Sequence, residues 1–130
     1  MVQSPTILVA DDDDRLSTVL KIRLGQMGYE VLTAHNGQQA LDLALEQIPD
    51  LFIFDVNMPG CDGFSLIETM DEIPKLNAIP VIYISGAVDE QELNNTGGRL
   101  GAIAMMRKPF EFYELIDAVH LVLRPPSCVA

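Results

Sequence analysis

Five short apolar runs restrict the fold of this 130-residue chain more than any other feature of its sequence. The runs carry aliphatic residues at both odd and even positions, which is typical of strands buried on both faces of a parallel sheet. They are Ile7–Ala10, Val31–Ala34, Leu51–Phe54, Val81–Ile84 and Ala102–Met106. The sequence therefore predicts five strands, with room between successive strands for one helix and two loops.

Amphipathic segments separate the runs and predict helices. The clearest apolar faces are Leu16, Val19, Leu20 and Leu24; Ala40, Leu41, Ala44 and Ile48; Leu66, Ile67 and Met70; and Phe112, Leu115, Ile116, Val119 and Leu123. Segment 89–100 contains poor helix formers, so we expect only a short or loose helix there. Strands alternating with helices predict an α/β, flavodoxin-like, doubly wound parallel sheet with strand order 2-1-3-4-5 and helices on both faces.

Composition excludes several classes of protein. The formal net charge of −11 argues against nucleic-acid binding by this domain alone and against binding to anionic membranes. No run approaches the ~20 apolar residues of a membrane span, and the N-terminus is too polar for a signal peptide. Cys61 and Cys128 form no recognisable disulfide or metal motif, which favours free thiols. We therefore expect a cytoplasmic protein with a single domain.

Polar residues that could carry out chemistry follow four of the five predicted strands, and the second strand contributes only His35. Asp11–Asp14 follow the first strand, Asp55 the third, Ser85 the fourth, and Lys108 the fifth. The carboxyl ends of parallel strands meet at one edge of a sheet, and ligands bind there near the switch in strand order. The sequence therefore predicts a site assembled from four separate strands.

The predicted site is rich in carboxylates, and its chemistry follows from their charge. Asp11, Asp12 and Asp55 would repel one another unless a cation joined them, and carboxylate oxygens are preferred ligands of Mg²⁺. Asp55 stands alone at its strand end, so it is the best candidate for a nucleophile that forms an aspartyl phosphate. Lys108 and Ser85 could neutralise or bond the phosphoryl oxygens. Asp13 and Asp14 are interpreted as caps of the first helix.

The chain resembles the receiver domain of two-component response regulators over about residues 5–124, and is similar to the single-domain chemotaxis-type regulators. The residues that carry this resemblance lie, in order, at the ends of the first, third, fourth and fifth strands. They are segments 7–13, 55–60 with Asp62-Gly63, 80–87, and Gly101-Ala102 with Lys108-Pro109-Phe110. The resemblance implies a receiver domain over residues 1–124 and a short tail or the start of a linker over residues 125–130.

The resemblance also implies roles for individual residues. Asp55 would accept a phosphoryl group from a phosphohistidine on a sensor histidine kinase or a histidine phosphotransfer protein. Asp12 would bind Mg²⁺ directly, Asp11 through water, and Asn57 through its backbone carbonyl. Ser85 and Lys108 would contact the phosphoryl group. Such a domain catalyses only its own phosphorylation and dephosphorylation, so we expect no turnover enzyme. The downstream protein partner is not indicated.

One position departs from the family pattern. The family commonly carries an aromatic residue three positions before the lysine, where this chain has Met105. Methionine can fill a vacated pocket but cannot make the hydrogen bond of a tyrosine. We hypothesise that Ser85 moves and that the segment around Gly97 and Gly98 responds directly.

Three other functions fit parts of the pattern. A receiver-like module could act by contact alone, without phosphorylation, although the acids, the acceptor and the lysine are all present. An aspartyl-phosphate phosphatase of the haloacid-dehalogenase type needs an acid two residues after the nucleophile, where this chain has Asn57. A flavodoxin binds phosphate after its first strand, where the four aspartates of this chain would repel it.

Overall fold

A computed structural model describes residues 4–55, 57–58, 61–85, 102–107 and 110–123. Its strands are β1 Thr6–Ala10, β2 Glu30–Ala34, β3 Leu51–Asp55, β4 Asn57–Met58, β5 Cys61–Asp62, β6 Val81–Ser85 and β7 Ala102–Arg107. Its helices are α1 Asp14–Gln26, α2 Gly37–Glu46, α3 Gly63–Asp71 and α4 Phe112–Val122. The predicted loose helix over residues 89–100 lies outside the described residues, as does the predicted tail.

The central sheet has the order β2-β1-β3-β6-β7, and all its pairs are parallel. This is the predicted 2-1-3-4-5 order, so the doubly wound fold is confirmed. The switch in order falls between β1 and β3, which pair with Ala10 opposite Phe54. The residues that directly follow these strand positions, Asp11 and Asp55, therefore lie side by side at the carboxyl edge.

Two apolar clusters fill the two faces of the sheet. Alternate residues of each strand point to opposite faces, so β1 sends Leu8 and Ala10 to one cluster and Ile7 and Val9 to the other. The first cluster packs under α2 and α3, and the second under α1 and α4. All five residues of β3 are buried, as expected for a central strand with helices on both sides.

Helix α1 differs from its sequence-based prediction in the residues that it buries. The buried residues are Ser17, Leu20 and Leu24, spaced by three and four positions, as a core-facing stripe requires. Val19, which we expected on this face, is 46% exposed. The prediction of Val19 as a core residue is wrong. The buried stripe of α1 runs through Ser17, Leu20 and Leu24, and Val19 lies to one side of it.

The buried faces of the other helices agree with the prediction, except at the C-terminal end of α2. Helix α2 ends at Glu46, and the expected face residue Ile48 lies beyond it and is 45% exposed. Helix α3 buries Leu66 and Met70 and ends at Asp71. Helix α4 buries Leu115, Ala118 and Val119, close to the predicted stripe.

Long-range contacts fasten α4 to the rest of the domain. The Tyr29 hydroxyl, just before β2, donates a hydrogen bond to the carbonyl oxygen of Leu123 at 3.3 Å. The Arg23 guanidinium of α1 lies 4.8 Å from the centre of the Phe112 ring, at the start of α4, a cation–π contact. Within the described ranges, no helix has the length and apolar character needed to cross a bilayer.

Candidate functional site

Three aspartates meet at the carboxyl edge of the sheet. One carboxylate oxygen from each of Asp11, Asp12 and Asp55 lies within 4.8 Å of those from the other two. Asp11 is 1% exposed and Asp55 is 4% exposed, whereas Asp12 is exposed to solvent. The sequence predicted this grouping, because adjacent parallel strands bring the residues that follow them together.

The main chain around Asp11 is held by three hydrogen bonds. Its N–H donates to the Ala34 carbonyl of β2 at 3.1 Å, and its carboxylate Oδ1 accepts from the Asp13 N–H at 2.8 Å. Its carbonyl oxygen accepts from the Ser17 hydroxyl at 3.4 Å. These bonds fix both the direction of the chain as it leaves β1 and the orientation of one carboxylate.

The next two aspartates start helix α1 instead of joining the cluster. The Asp13 side chain accepts hydrogen bonds from the backbone N–H groups of Arg15 and Leu16, so Asp13 is the N-cap. Asp14, in the first turn, lies 3.0 Å from His35 Nδ1. The predicted cap at Asp13 is confirmed, and Asp14 joins the first turn of α1 to the segment after β2.

The donor set fits a hard divalent cation. It offers oxygen atoms alone, from three carboxylates, which suits Mg²⁺ better than the nitrogen and sulfur ligands of a zinc site. Two of the three carboxylates are buried, and the exposed Asp12 leaves one side open to the waters that Mg²⁺ usually retains. Close packing of three like charges without a cation is unfavourable, which further favours a bound ion.

The structure describes some of the remaining predicted site residues. Asn57 lies two residues after Asp55 in the short strand β4, which pairs with β5 in a hairpin that the sequence did not predict. Ser85 ends β6 and pairs in register with Arg107, the last residue of β7. Lys108 lies outside the described residues, directly after that strand end. The backbone thus brings the Asp55, Ser85 and Arg107 positions to the same edge.

The predicted departure from the family pattern lies next to a buried aromatic residue. Met105 in β7 pairs in register with Tyr83 in β6. Tyr83 is 1% exposed, and burial raises the pKa of its phenol above the ordinary value of 10.0. Gly97 and Gly98 lie outside the described residues, so the hypothesis of a direct response there stays a prediction.

Two residues near the site were missed by sequence reasoning. Ser17 is buried beneath Asp11, and His35 contacts Asp14. Ser17 could have been recognised as a buried residue only if the buried face of α1 had been predicted correctly. The position of His35 directly after β2 was visible in the sequence, but its partner depends on how α1 packs against β2.

Comparison with known sequences places this geometry in context. Residues 7–120 match the response regulator receiver domain family. The probable transcriptional regulator ycf27 of Galdieria sulphuraria is 40% identical over 118 residues, covering 91% of this chain and 45% of that protein. The transcriptional regulatory protein AfsQ1 of Streptomyces coelicolor is 34% identical over 120 residues, covering 92% and 52% respectively. The chain thus spans about half the length of these curated relatives.

Solved structures with the same fold include two with close overall agreement. The chemotaxis protein CheY4 of Vibrio cholerae superposes with a TM-score of 0.84 at 28% identity, over 92% of this chain and 99% of that one. The non-phosphorylated HemR receiver domain of Leptospira biflexa superposes with a TM-score of 0.81 at 29% identity, over 98% and 100%. The order of strands in the central sheet agrees with this likeness.

Proposed function

This chain belongs to the response regulator receiver domain family, and on that premise we propose that it is a phosphorylation-dependent switch whose Asp55 accepts a phosphoryl group in a reaction that requires Mg²⁺. The observation that carries the proposal is the cluster of Asp11, Asp12 and Asp55 within 4.8 Å at the carboxyl edge. It combines a nearly buried acceptor carboxylate with two further acids that can hold a cation beside it.

The chemistry requires a nucleophile in a fixed position and positive charge around it. A carboxylate oxygen of Asp55 attacks phosphorus, the phosphorus–nitrogen bond of the donor phosphohistidine breaks, and the leaving imidazole takes up a proton. Mg²⁺, when bound, neutralises charge on the phosphoryl oxygens. Asp11 and Asp12 would hold the ion with the backbone carbonyl of Asn57. Lys108 and Ser85 would contact the transferred group.

The exchange changes the state of the domain itself and turns over no separate substrate. A phosphoryl group at Asp55 adds up to about two negative charges at an edge that is already acidic. Hydrolysis of the aspartyl phosphate by the same residues restores the starting state. The domain therefore functions as a switch, and its lifetime in the phosphorylated state sets the duration of the signal.

The family and the relatives suggest the partners. The donor would be a sensor histidine kinase or a histidine phosphotransfer protein, in the cytoplasm. The relatives from Galdieria sulphuraria and Streptomyces coelicolor are named as transcriptional regulators, and this chain covers about half of each. We propose that this domain contacts a protein partner and leaves any recognition of DNA to other domains, because its net charge of −11 repels phosphates.

Phosphorylation by a small donor tests the proposal directly. The 130-residue chain is incubated with acetyl phosphate and Mg²⁺, and its intact mass is measured. We expect a gain of one phosphoryl group, which is lost in Asp55→Asn and when Mg²⁺ is chelated. Asp117→Asn, an exposed aspartate on α4, is the matched control and should behave as the unsubstituted chain does.

The opposite result has an equally definite meaning. A chain that gains no phosphoryl group and binds no beryllofluoride would contradict the proposed function. It would favour the alternative in which the domain works only by protein contact. Sustained hydrolysis of a phosphomonoester that depends on Asp55 would instead favour a phosphatase.

A further inference from the structure

Ser17 is an exception in the buried part of the molecule. Among the residues whose burial is described, three polar or charged ones are buried: Asp11, Asp55 and Ser17. The first two belong to the acidic cluster. Ser17 is 3% exposed and is the first fully buried residue of α1, in line with Leu20 and Leu24. An apolar residue would suit that position, so packing alone does not account for a hydroxyl there.

The hydroxyl of Ser17 makes an unusual contact for a helical serine. Serine hydroxyls inside helices commonly bond the carbonyl four residues earlier. In α1 that carbonyl, of Asp13, accepts the backbone N–H of Ser17 at 3.0 Å. The Ser17 hydroxyl instead donates to the carbonyl of Asp11, six residues earlier and before the N-cap, at 3.4 Å. The contact therefore joins the body of the helix to the end of β1.

We infer that Ser17 is a positioning residue for the cation site, which it serves by fixing the main chain of Asp11. The Asp11 N–H is fixed from β2 by Ala34, and the Asp11 carbonyl is fixed from α1 by Ser17. With both sides of this peptide segment held, the Asp11 carboxylate is presented towards Asp12 and Asp55 before any ion arrives. Partners behind a ligand contribute to metal affinity by such orientation. This inference rests on the proposed Mg²⁺ site.

Three variants separate positioning from a purely structural role. Ser17→Ala removes the hydroxyl and leaves a good helix former. Ser17→Thr keeps the hydroxyl, and Ser17 is one of the residues that line an open cleft between α1 and β2. Thr18→Ala is the matched control, since Thr18 is the next residue on the same helix but is exposed.

The measurement is the dissociation constant of Mg²⁺, obtained by calorimetric titration of each full-length variant. We expect Ser17→Ala to raise it about 5- to 10-fold, as loss of one hydrogen bond behind a ligand would. Ser17→Thr should stay within about 2-fold of the unsubstituted chain, and Thr18→Ala should match it. The acetyl phosphate reaction gives a second readout, in which Ser17→Ala requires more Mg²⁺ but reaches the same maximal rate when Mg²⁺ saturates.

Thermal unfolding without Mg²⁺ completes the test. A positioning role predicts that Ser17→Ala weakens Mg²⁺ binding while its unfolding temperature stays close to that of the unsubstituted chain. An unchanged dissociation constant in a folded Ser17→Ala overturns the inference and leaves the proposed function intact. A large fall in unfolding temperature with unchanged binding by the folded fraction overturns it as well. If the unsubstituted chain binds no Mg²⁺ at all, both the inference and the proposed function are overturned.

Discussion

Neutralising Asp12 should stabilise the metal-free fold. The Asp12 carboxylate lies within 4.8 Å of both Asp11 and Asp55. Each such pair repels by about 0.9 kcal/mol in water and by about 3.5 kcal/mol at an effective dielectric constant of 20. Because Asp12 is exposed, the lower value applies. Asp11 and Asp12 are adjacent in sequence and stay close together in the unfolded chain, so only the repulsion between Asp12 and Asp55 contributes fully to the free energy of unfolding. We therefore expect Asp12→Asn to raise the free energy of unfolding by about 1 kcal/mol.

Urea unfolding with and without Mg²⁺ measures this effect. Without Mg²⁺, the midpoint of Asp12→Asn should rise by about 0.5 M, given a typical dependence on urea for a domain of this size. Mg²⁺ at ten times its dissociation constant should stabilise the unsubstituted chain by about 1.4 kcal/mol. Mg²⁺ should change the stability of Asp12→Asn little, so the variant is no longer the more stable of the two proteins when Mg²⁺ is added.

The control removes one negative charge elsewhere. Asp117→Asn on the exposed side of α4 changes the net charge by the same amount, without touching the cluster. If Asp12→Asn and Asp117→Asn are equally stable in the presence of a chelator, the three carboxylates do not repel one another appreciably, and the electrostatic reasoning for a cation site is refuted.

Three further predictions concern the cap, the core and a buried phenol. Asp13→Ala should lose about 1 kcal/mol of stability and Asp13→Asn much less, because asparagine keeps the capping oxygen; urea unfolding compares them. Leu24→Ala, at a fully buried position, should lose about 2–5 kcal/mol, whereas Leu121→Ala, 84% exposed, should change unfolding by less than about 0.5 kcal/mol. Burial raises the pKa of Tyr83 above 10.0, so the folded state holds this proton more tightly than the unfolded chain does. The resulting stability is present below pH 10 and lost as the pH rises above it, and the urea midpoint of Tyr83→Phe should fall less steeply over that range.

The sequence predicted the sheet well because its signals are local. Each strand of the central sheet is an aliphatic run, and alternation with helices allows few orders of parallel strands. The face of α1 was harder to predict because Val19 is apolar yet 46% exposed, and Ser17 is polar yet buried. The spacing of apolar residues identifies α1 as a helix, but its packing against β2 determines which of its faces is buried. The hairpin of β4 and β5 has two residues in each strand, too few for a periodic pattern.

The grouping of the site followed from the predicted topology. Asp11 and Asp55 lie together because the strands that precede them are neighbours, and that could be stated from the strand order. The contacts that hold these two aspartates and their neighbours in place could not be predicted from the strand order. The bond from Ser17 to Asp11 depends on the angle at which α1 leaves its N-cap, and the contact of His35 with Asp14 depends on a side-chain orientation. Sequence spacing fixes neither.

The hydrogen bond from Tyr29 to Leu123 has a consequence for how the domain can communicate. Tyr29 precedes β2, so the end of α4 is fastened to the amino edge of the sheet, opposite the aspartates. The two edges are separated by the length of a five-residue strand, about 16 Å. Physiological salt screens charges facing solvent within about 8 Å. An electrostatic effect that passes through solvent is therefore weak at this distance, whereas the hydrogen bond joins the end of α4 directly to the segment before β2, so a displacement of that segment would move Leu123 with it.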